Sequence, residues 1–132
     1  MEDFVSFEQA QSLKKLGFNW PVDSYYVKFK DGNIVMAFIT EDYRVNKNVN
    51  GWGINNKYSS PTLAQAQKWL RMTQGIFVQS AFIKACDGSI VFESGMCVGS
   101  MIYIIPQASK KYEEALKKAI DTALKYLKEE GK

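Results

Sequence analysis

Apolar residues recur at helical spacing in three stretches of the chain. In the first, Phe7, Ala10, Leu13 and Leu16 form one face, and Ser6 with Gln9 three residues later matches a capping box. The second follows Ser60-Pro61, a pair typical of a helix start. The three helices are predicted at about 7–16, 62–73 and 110–130, with Ser6, Ser60 and Ser109 as their N-caps.

Alternating or continuous apolar stretches between these helices predict β-strands. Asp31-Gly32 and Asp87-Gly88 each stand between two such stretches, which is typical of a hairpin turn. The strands are predicted at 25–30, 33–40, 76–84, 89–92 and 101–105. The glycine-spaced stretch 95–100 precedes a strand rather than a helix, so it predicts a bulged connection and not a phosphate-binding loop.

The two hairpins belong to an internal repeat. Residues 7–40 align without a gap on residues 63–96, and 10 of the 34 aligned positions are identical. The identities include Gln9-Ala10-Gln11 with Gln65-Ala66-Gln67 and both Asp-Gly turns. We interpret the repeat as two copies of an α-β-β unit; two unrelated helix-hairpin units with common turn chemistry are the alternative.

These elements predict a single α+β domain spanning 1–132. An antiparallel sheet of about five strands would be covered on one face by three helices, with the strand and helix of residues 101–130 closing the domain. If the second face is uncovered, its alternating aromatic residues would form an apolar patch. Homodimerisation would be the simplest way to bury that patch.

Composition weighs against catalysis and against a strong nucleic-acid field. The chain has 17 Lys and Arg, 14 Asp and Glu and no histidine. The lack of histidine removes the usual general base and the usual zinc ligand. We therefore expect no catalytic residue, no metal site and no cofactor; an enzyme that uses Tyr, Lys or carboxylates is the alternative. The net charge is only +3 and residues of opposite charge are interspersed along the chain, which weighs against nucleic acid as a partner.

The expected compartment is the cytoplasm. The two cysteines, Cys86 and Cys97, lie in or beside apolar stretches and are expected to be buried free thiols. No basic and then apolar leader is seen, and no apolar stretch approaches the ~20 residues that span a bilayer. We therefore expect no membrane association.

The polar segment 41–60 is the candidate interaction site. It is rich in asparagine, and long connections of this kind are often functional. Its aromatic rings offer stacking surfaces, its arginine a cation and its asparagines hydrogen bonds in both directions. The candidate ligand-binding residues are Tyr43, Arg44, Trp52, Asn55 and Tyr58. The ligand would be a nucleotide, a peptide or a protein partner; alternatively Trp52 and Tyr58 fold back onto the sheet.

An RNA-binding module is a second interpretation. Residues 62–130 are predicted to run α-β-β-β-α, which is the order of a double-stranded RNA-binding domain. Lys110 and Lys111 resemble the basic helix start with which that family contacts phosphates. The histidine-bearing loop expected between the first two strands is absent here, because Asp87-Gly88 is a tight turn.

The whole chain also resembles a group of small bacterial and phage proteins. The stretch from Tyr58-Ser59-Ser60-Pro61-Thr62 to Lys68-Trp69-Leu70-Arg71, the opening Val5-Ser6-Phe7-Glu8-Gln9-Ala10 and the closing Tyr112-Glu113-Glu114-Ala115-Leu116 carry the resemblance. The group is the small, functionally uncharacterised proteins of Bacteroidetes and of their phages and mobile elements. The resemblance implies a short accessory gene and no particular chemistry. We therefore expect a non-enzymatic binding or accessory protein whose partner is a protein or a small molecule.

Overall fold

The computed structural model describes residues 3–40, 45–105 and 108–130. They form two compact units, which we call the N-terminal unit (3–62) and the C-terminal unit (63–130). The single domain of 1–132 stays a prediction. The elements are α1 Phe7–Lys15, β1 Ser24–Lys28, β2 Ile34–Phe38, β3 Lys57–Ser59, α2 Leu63–Trp69, β4 Ile76–Lys84, β5 Ile90–Val98, β6 Met101–Ile104 and α3 Tyr112–Glu130.

The N-terminal unit is a three-stranded antiparallel sheet with α1 on one face. The strand order is β2-β1-β3, so β1 is central. The predicted capping box is present: Ser6 Oγ accepts from the Gln9 amide, and the Gln9 side chain accepts from the Ser6 amide. The Phe7 ring at the start of α1 packs edge-on against Tyr26 and Tyr58. The buried core comprises Val5, Ala10, Leu13, Phe18, Val22 and Val49.

The C-terminal unit is a second three-stranded antiparallel sheet, of order β4-β5-β6, packed against α3. Apolar residues of α3 meet Ile76, Val78 and Met96 of the sheet in the core. The buried Ser94 hydroxyl donates to the Ala115 carbonyl at 2.6 Å, which ties α3 to β5. A π-helical turn, Leu70–Gln74, follows α2 and ends at Gly75, whose φ of 68° permits the sharp entry into β4.

The α+β class and the three helices are confirmed, but the single sheet of about five strands is wrong. The described residues form two sheets of three strands each. The unpredicted strand is β3, which lies inside the polar segment 41–60. It pairs with the edge of β1 that β2 does not occupy. Its three residues are too few for a periodic pattern to stand out.

Two predicted N-caps instead take part in strand pairing. Ser60 extends the β3 ladder, because its amide donates to the Ser24 carbonyl and its carbonyl accepts from the Ser24 hydroxyl, both at 3.0 Å. Ser109 forms a bridge with Phe92, exchanging two backbone hydrogen bonds of 2.7 and 2.8 Å. Accordingly α2 begins at Leu63 and α3 at Tyr112. Backbone pairing with a neighbouring strand overrides the local capping preference at both sites.

The bulged connection predicted at 95–100 is also wrong. Gly95 to Val98 continue β5 in regular register, with Gly95 opposite both Gln79 and Ile104. Only Gly99, at φ 58°, and Ser100 form the turn into β6.

The two repeated hairpins have the same register at their turns. Lys28 pairs with Ile34 in the first hairpin, and Lys84 pairs with Ile90 in the second. The second pair follows the first by 56 residues, which is the offset of the repeat. The third strands differ, because β3 joins the first strand of its hairpin whereas β6 joins the second strand. The duplication therefore stays a prediction.

The cysteines are free thiols, as expected, but the prediction that they are buried is wrong for both. Cys86 is exposed beside the second hairpin turn, and Cys97 is half-buried on β5. In the described parts of the chain, no helix is both long enough and apolar enough to cross a membrane.

Candidate functional site

The described part of the polar segment, residues 45–60, is folded rather than structureless. A short 3₁₀ helix, Val49–Trp52, begins where Asn48 Oδ1 accepts from the Gly51 amide. Asn50 then bonds to β3. Its backbone amide donates to Ser59 Oγ at 3.0 Å, and its side-chain Oδ1 accepts from the Ser59 backbone amide at 2.9 Å. Asparagines that suggested ligand binding in the sequence thus supply backbone partners for an irregular segment.

Trp52 folds back onto the sheet face opposite α1. Its ring packs against Tyr25 with centroids 5.5 Å apart, and its Nε1 donates to the Asn46 carbonyl at 2.7 Å. The Lys57 ammonium lies 5.6 Å from the Trp52 ring and 5.4 Å from the Tyr25 ring, within cation–π range. Trp52 therefore anchors the segment with its indole N–H already bonded.

Tyr58 lies on the other face of β3, next to α1. Its ring packs against Phe7, with centroids 5.2 Å apart, and under the Lys14 ammonium at 4.7 Å. The same ammonium donates to the carbonyls of Ile54 and Lys57, at 2.8 Å each. Burial holds the pKa of Lys14 below its ordinary value. These contacts fix the turn that leads into β3 against α1.

A groove opens at the hairpin end of this unit. It has a volume of about 450 Å³ and is lined by Lys28, Phe29, Lys30, Asn55, Asn56 and Tyr58. Its walls are held together at the backbone, because the Lys28 amide donates to the Asn56 carbonyl at 3.0 Å and Asn56 Nδ2 donates to the Lys28 carbonyl at 3.2 Å. We call this the cationic groove.

The chemistry of the cationic groove is that of an anion site with aromatic surfaces. Lys28 and Lys30 are exposed and supply two ammonium groups, and no carboxylate is among the described residues that line the groove. The Phe29 side chain is 48% exposed, so its ring is accessible from solvent. The side chain of Asn55 is exposed and offers both a donor and an acceptor.

The structure brings together two of the five candidate residues. Asn55 and Tyr58 line the cationic groove, whereas Trp52 lies on the opposite sheet face. Tyr43 and Arg44 lie outside the described residues. Lys110 and Lys111 are exposed just before α3 in the C-terminal unit.

Four lining residues were missed by the sequence interpretation: Lys28, Phe29, Lys30 and Asn56. The first three form a Lys-Phe-Lys stretch directly before the Asp31-Gly32 turn. Lysine next to an aromatic residue at a hairpin end was a usable signal. The same alternation is also typical of a β-strand, so it does not by itself indicate a binding site.

The described parts of the chain contain no group of side chains that could hold a metal ion. No three or more Cys, Asp or Glu side chains there lie close enough to hold an ion. Comparison of the chain with protein-family models, with curated proteins and with solved structures gives no match.

Proposed function

We propose that this is a non-enzymatic binding protein whose cationic groove binds a ligand with a phosphate and a planar ring, that is, a nucleotide. The observation that carries the proposal is the juxtaposition of two lysines, two asparagines and two aromatic rings in one groove.

Each part of such a ligand has a matching group. The ammonium groups of Lys28 and Lys30 suit a phosphate, since charge-assisted hydrogen bonds are stronger than neutral ones. The exposed Phe29 ring offers a stacking surface that accepts any base. The Asn55 amide can read a base edge with one donor and one acceptor. The groove is open to solvent, which predicts weak binding, with a Kd of about 1 mM or somewhat tighter.

A titration of the full chain, followed by backbone and side-chain amide NMR shifts, tests the proposal. The probes are the four ribonucleoside 5′-monophosphates, with inorganic phosphate and an acidic hexapeptide as comparisons. We expect shifts clustered at Lys28, Phe29, Lys30 and Asn55, larger for the nucleotides than for phosphate. No clustered shift at several millimolar nucleotide, or stronger binding of the peptide, would overturn the proposal.

Matched lysine variants sharpen the test. Lys28→Gln and Lys30→Gln should each weaken nucleotide binding by about tenfold, because each removes one charge-assisted bond. Lys15→Gln makes the same change of charge at an exposed position on α1 outside the groove, and should leave binding unchanged. Equal weakening by all three would indicate only a general electrostatic effect.

The alternative of a histidine-independent enzyme requires a cleft that unites a base, an acid and a cation. Among the candidate residues, Arg44 and Tyr58 together with a buried carboxylate would form such a set. Arg44 lies outside the described residues, and the groove that contains Tyr58 has no carboxylate among its described lining residues. Binding without catalysis is the simpler use of this groove.

RNA binding by the C-terminal unit is a second candidate, favoured by one observation. Its elements run α2-β4-β5-β6-α3 with a three-stranded antiparallel sheet, the order expected of a double-stranded RNA-binding module. A gel shift with a duplex RNA of about 16 base pairs tests it. A shift at low salt that Lys110→Gln and Lys111→Gln weaken would support RNA binding, and the absence of a shift would exclude it.

The compartment, the biological origin and the internal duplication are further proposals. A cytoplasmic location and an origin in Bacteroidetes or their phages and mobile elements remain proposals that rest on the sequence. We also propose that residues 7–40 and 63–96 arose by duplication, supported by the shared register at the two Asp-Gly turns. Superposition of residues 7–40 on residues 63–96 would test this proposal, because true repeats should overlay helix on helix as well as hairpin on hairpin.

A further inference from the structure

The sheet of the C-terminal unit has a second face that carries exposed apolar side chains. Phe77 is 55% exposed, Ile102 72% and Ile104 60%. They belong to one face, because Phe77 pairs with Cys97, Cys97 with Ile102 and Gly95 with Ile104. With neighbouring polar residues they line a groove of about 380 Å³. We call this face, opposite the core residues Val78 and Met96, the open face.

The centre of the open face is formed by Gln79 and Gly95. A Cβ on Gly95 would lie 3.4 Å from both Cγ and Nε2 of Gln79, so the missing side chain lets Gln79 lie across the central strand. The side-chain amide of Gln79 forms no hydrogen bond to any other described residue, and Gln79 is exposed. An amide of this kind pairs well with a second amide, since each supplies one donor and one acceptor.

Opposite charges flank this centre. Arg71, from the π-helical turn before β4, lies towards the Phe77 end of the groove, and Glu93, opposite Ala81, lies towards the other end. Phe77 and Ala81 are four residues apart on β4, or about 13 Å. Within the described ranges, neither Arg71 nor Glu93 has an ion-pair partner. The face therefore carries one unpaired positive charge on one side of its centre and one unpaired negative charge on the other side.

We propose that the open face packs against the same face of a second copy of this chain. A twofold axis between the two sheets, crossing the strands at Gln79 and Gly95, exchanges the two ends of the groove. It sets Gln79 against its own copy and Arg71 against Glu93 of the other copy, twice over. Such self-complementarity is what an isologous interface requires. Burial of Phe77, Ile102 and Ile104 supplies the driving force.

This inference is independent of the nucleotide proposal, because it concerns other residues in the other unit. Sedimentation equilibrium of the full chain at about 100 µM tests it, in a range where a Kd of micromolar order is measured directly. We expect a dimer for the natural sequence and a monomer for Ile102→Lys. The matched control is Met72→Lys, at a residue that is 63% exposed but does not line the groove, and it should leave the dimer intact.

A charge exchange separates this packing from any other mode of association. Arg71→Glu and Glu93→Arg should each weaken the dimer at least tenfold, and the double variant should recover most of that loss. Circular dichroism spectra that match the natural protein establish that the variants are folded. A monomeric natural protein, a dimer that Ile102→Lys leaves intact, or a double variant that fails to recover would overturn the proposal.

Discussion

The ammonium nitrogen of Lys14 lies 4.7 Å from the centre of the Tyr58 ring while donating hydrogen bonds to the carbonyls of Ile54 and Lys57. One side chain of α1 thus satisfies two carbonyls of the turn that shapes the cationic groove. The lowered pKa of Lys14 follows from its partial burial there. The stability of this turn and the shape of the groove therefore depend on the same cation.

Replacement of Lys14 should destabilise the N-terminal unit. Lys14→Met keeps the aliphatic chain but removes two charge-assisted hydrogen bonds and the contact with Tyr58. We expect a loss of about 2 kcal/mol in the free energy of unfolding, measured by urea denaturation. Lys15→Met, one position along on the exposed side of α1, should change stability by less than about 0.5 kcal/mol. Equal effects of the two variants would contradict the role assigned to Lys14.

Asn50 and Asn55 should separate structure from binding. Asn50 makes two hydrogen bonds with Ser59, and its Nδ2 donates to the Phe18 carbonyl at 2.9 Å, whereas Asn55 is exposed at the rim of the groove. Asn50→Ala should lower the free energy of unfolding by about 2 kcal/mol, because it leaves partly buried backbone groups unpaired.

Asn55→Ala is the complementary variant. It should leave the denaturation midpoint unchanged and weaken nucleotide binding about threefold to tenfold, as the loss of one neutral hydrogen bond would do. Binding that is unaffected by Asn55→Ala, in a protein of unchanged stability, would remove Asn55 from the proposed site.

Local signals in the sequence predicted the elements well. The capping box at Ser6 and Gln9 and the two Asp-Gly turns depend on contacts within a few residues, and all three are present. The strand partners were not predictable in the same way, because either edge of a hairpin can accept a third strand. β3 joins β1 and β6 joins β5, and the described residues form two separate sheets where the sequence predicted one.

The candidate site shows the same division between local and non-local information. Asn55 and Tyr58 were identified from the composition of one segment, but Lys28 at the end of β1 and Lys30 in the following turn lie about 27 residues earlier. They meet only because the Asn56 carbonyl and the Lys28 amide pair at the end of the β1–β3 ladder. A prediction of the complete groove would have required that pairing.

The two Asp-Gly turns should respond equally to the same substitution. Gly32 and Gly88 have φ values of 92° and 89°, a region that residues with a Cβ adopt only with strain. Gly32→Ala and Gly88→Ala should each lower the free energy of unfolding by about 1 kcal/mol. Effects that differ by more than about 1 kcal/mol would indicate that the two turns are not equivalent, and would weaken the case for duplication.

The Asp87 carboxylate should titrate below its ordinary range because Ser89 bonds to it. The Ser89 hydroxyl and amide donate to Asp87 Oδ1 at 2.6 and 2.9 Å, and these bonds lower the pKa of Asp87 from its ordinary value of 3.8. The resulting stability is therefore present above pH 3.8 and is lost as the pH falls through the folded-state pKa. Ser89→Ala removes the hydroxyl bond, so the NMR titration midpoint of Asp87 should rise towards 3.8.

The first hairpin supplies the control for this titration. Asn33 occupies the place of Ser89 there, and its Nδ2 donates to Asp31 at 2.9 Å. Ser89→Asn restores a side-chain donor in the same turn geometry, so it should keep the Asp87 midpoint low while Ser89→Ala raises it. Identical midpoints for both variants would mean that the backbone amide of residue 89 alone sets the pKa, and that the side chain at this turn position has no part in its stability in acid.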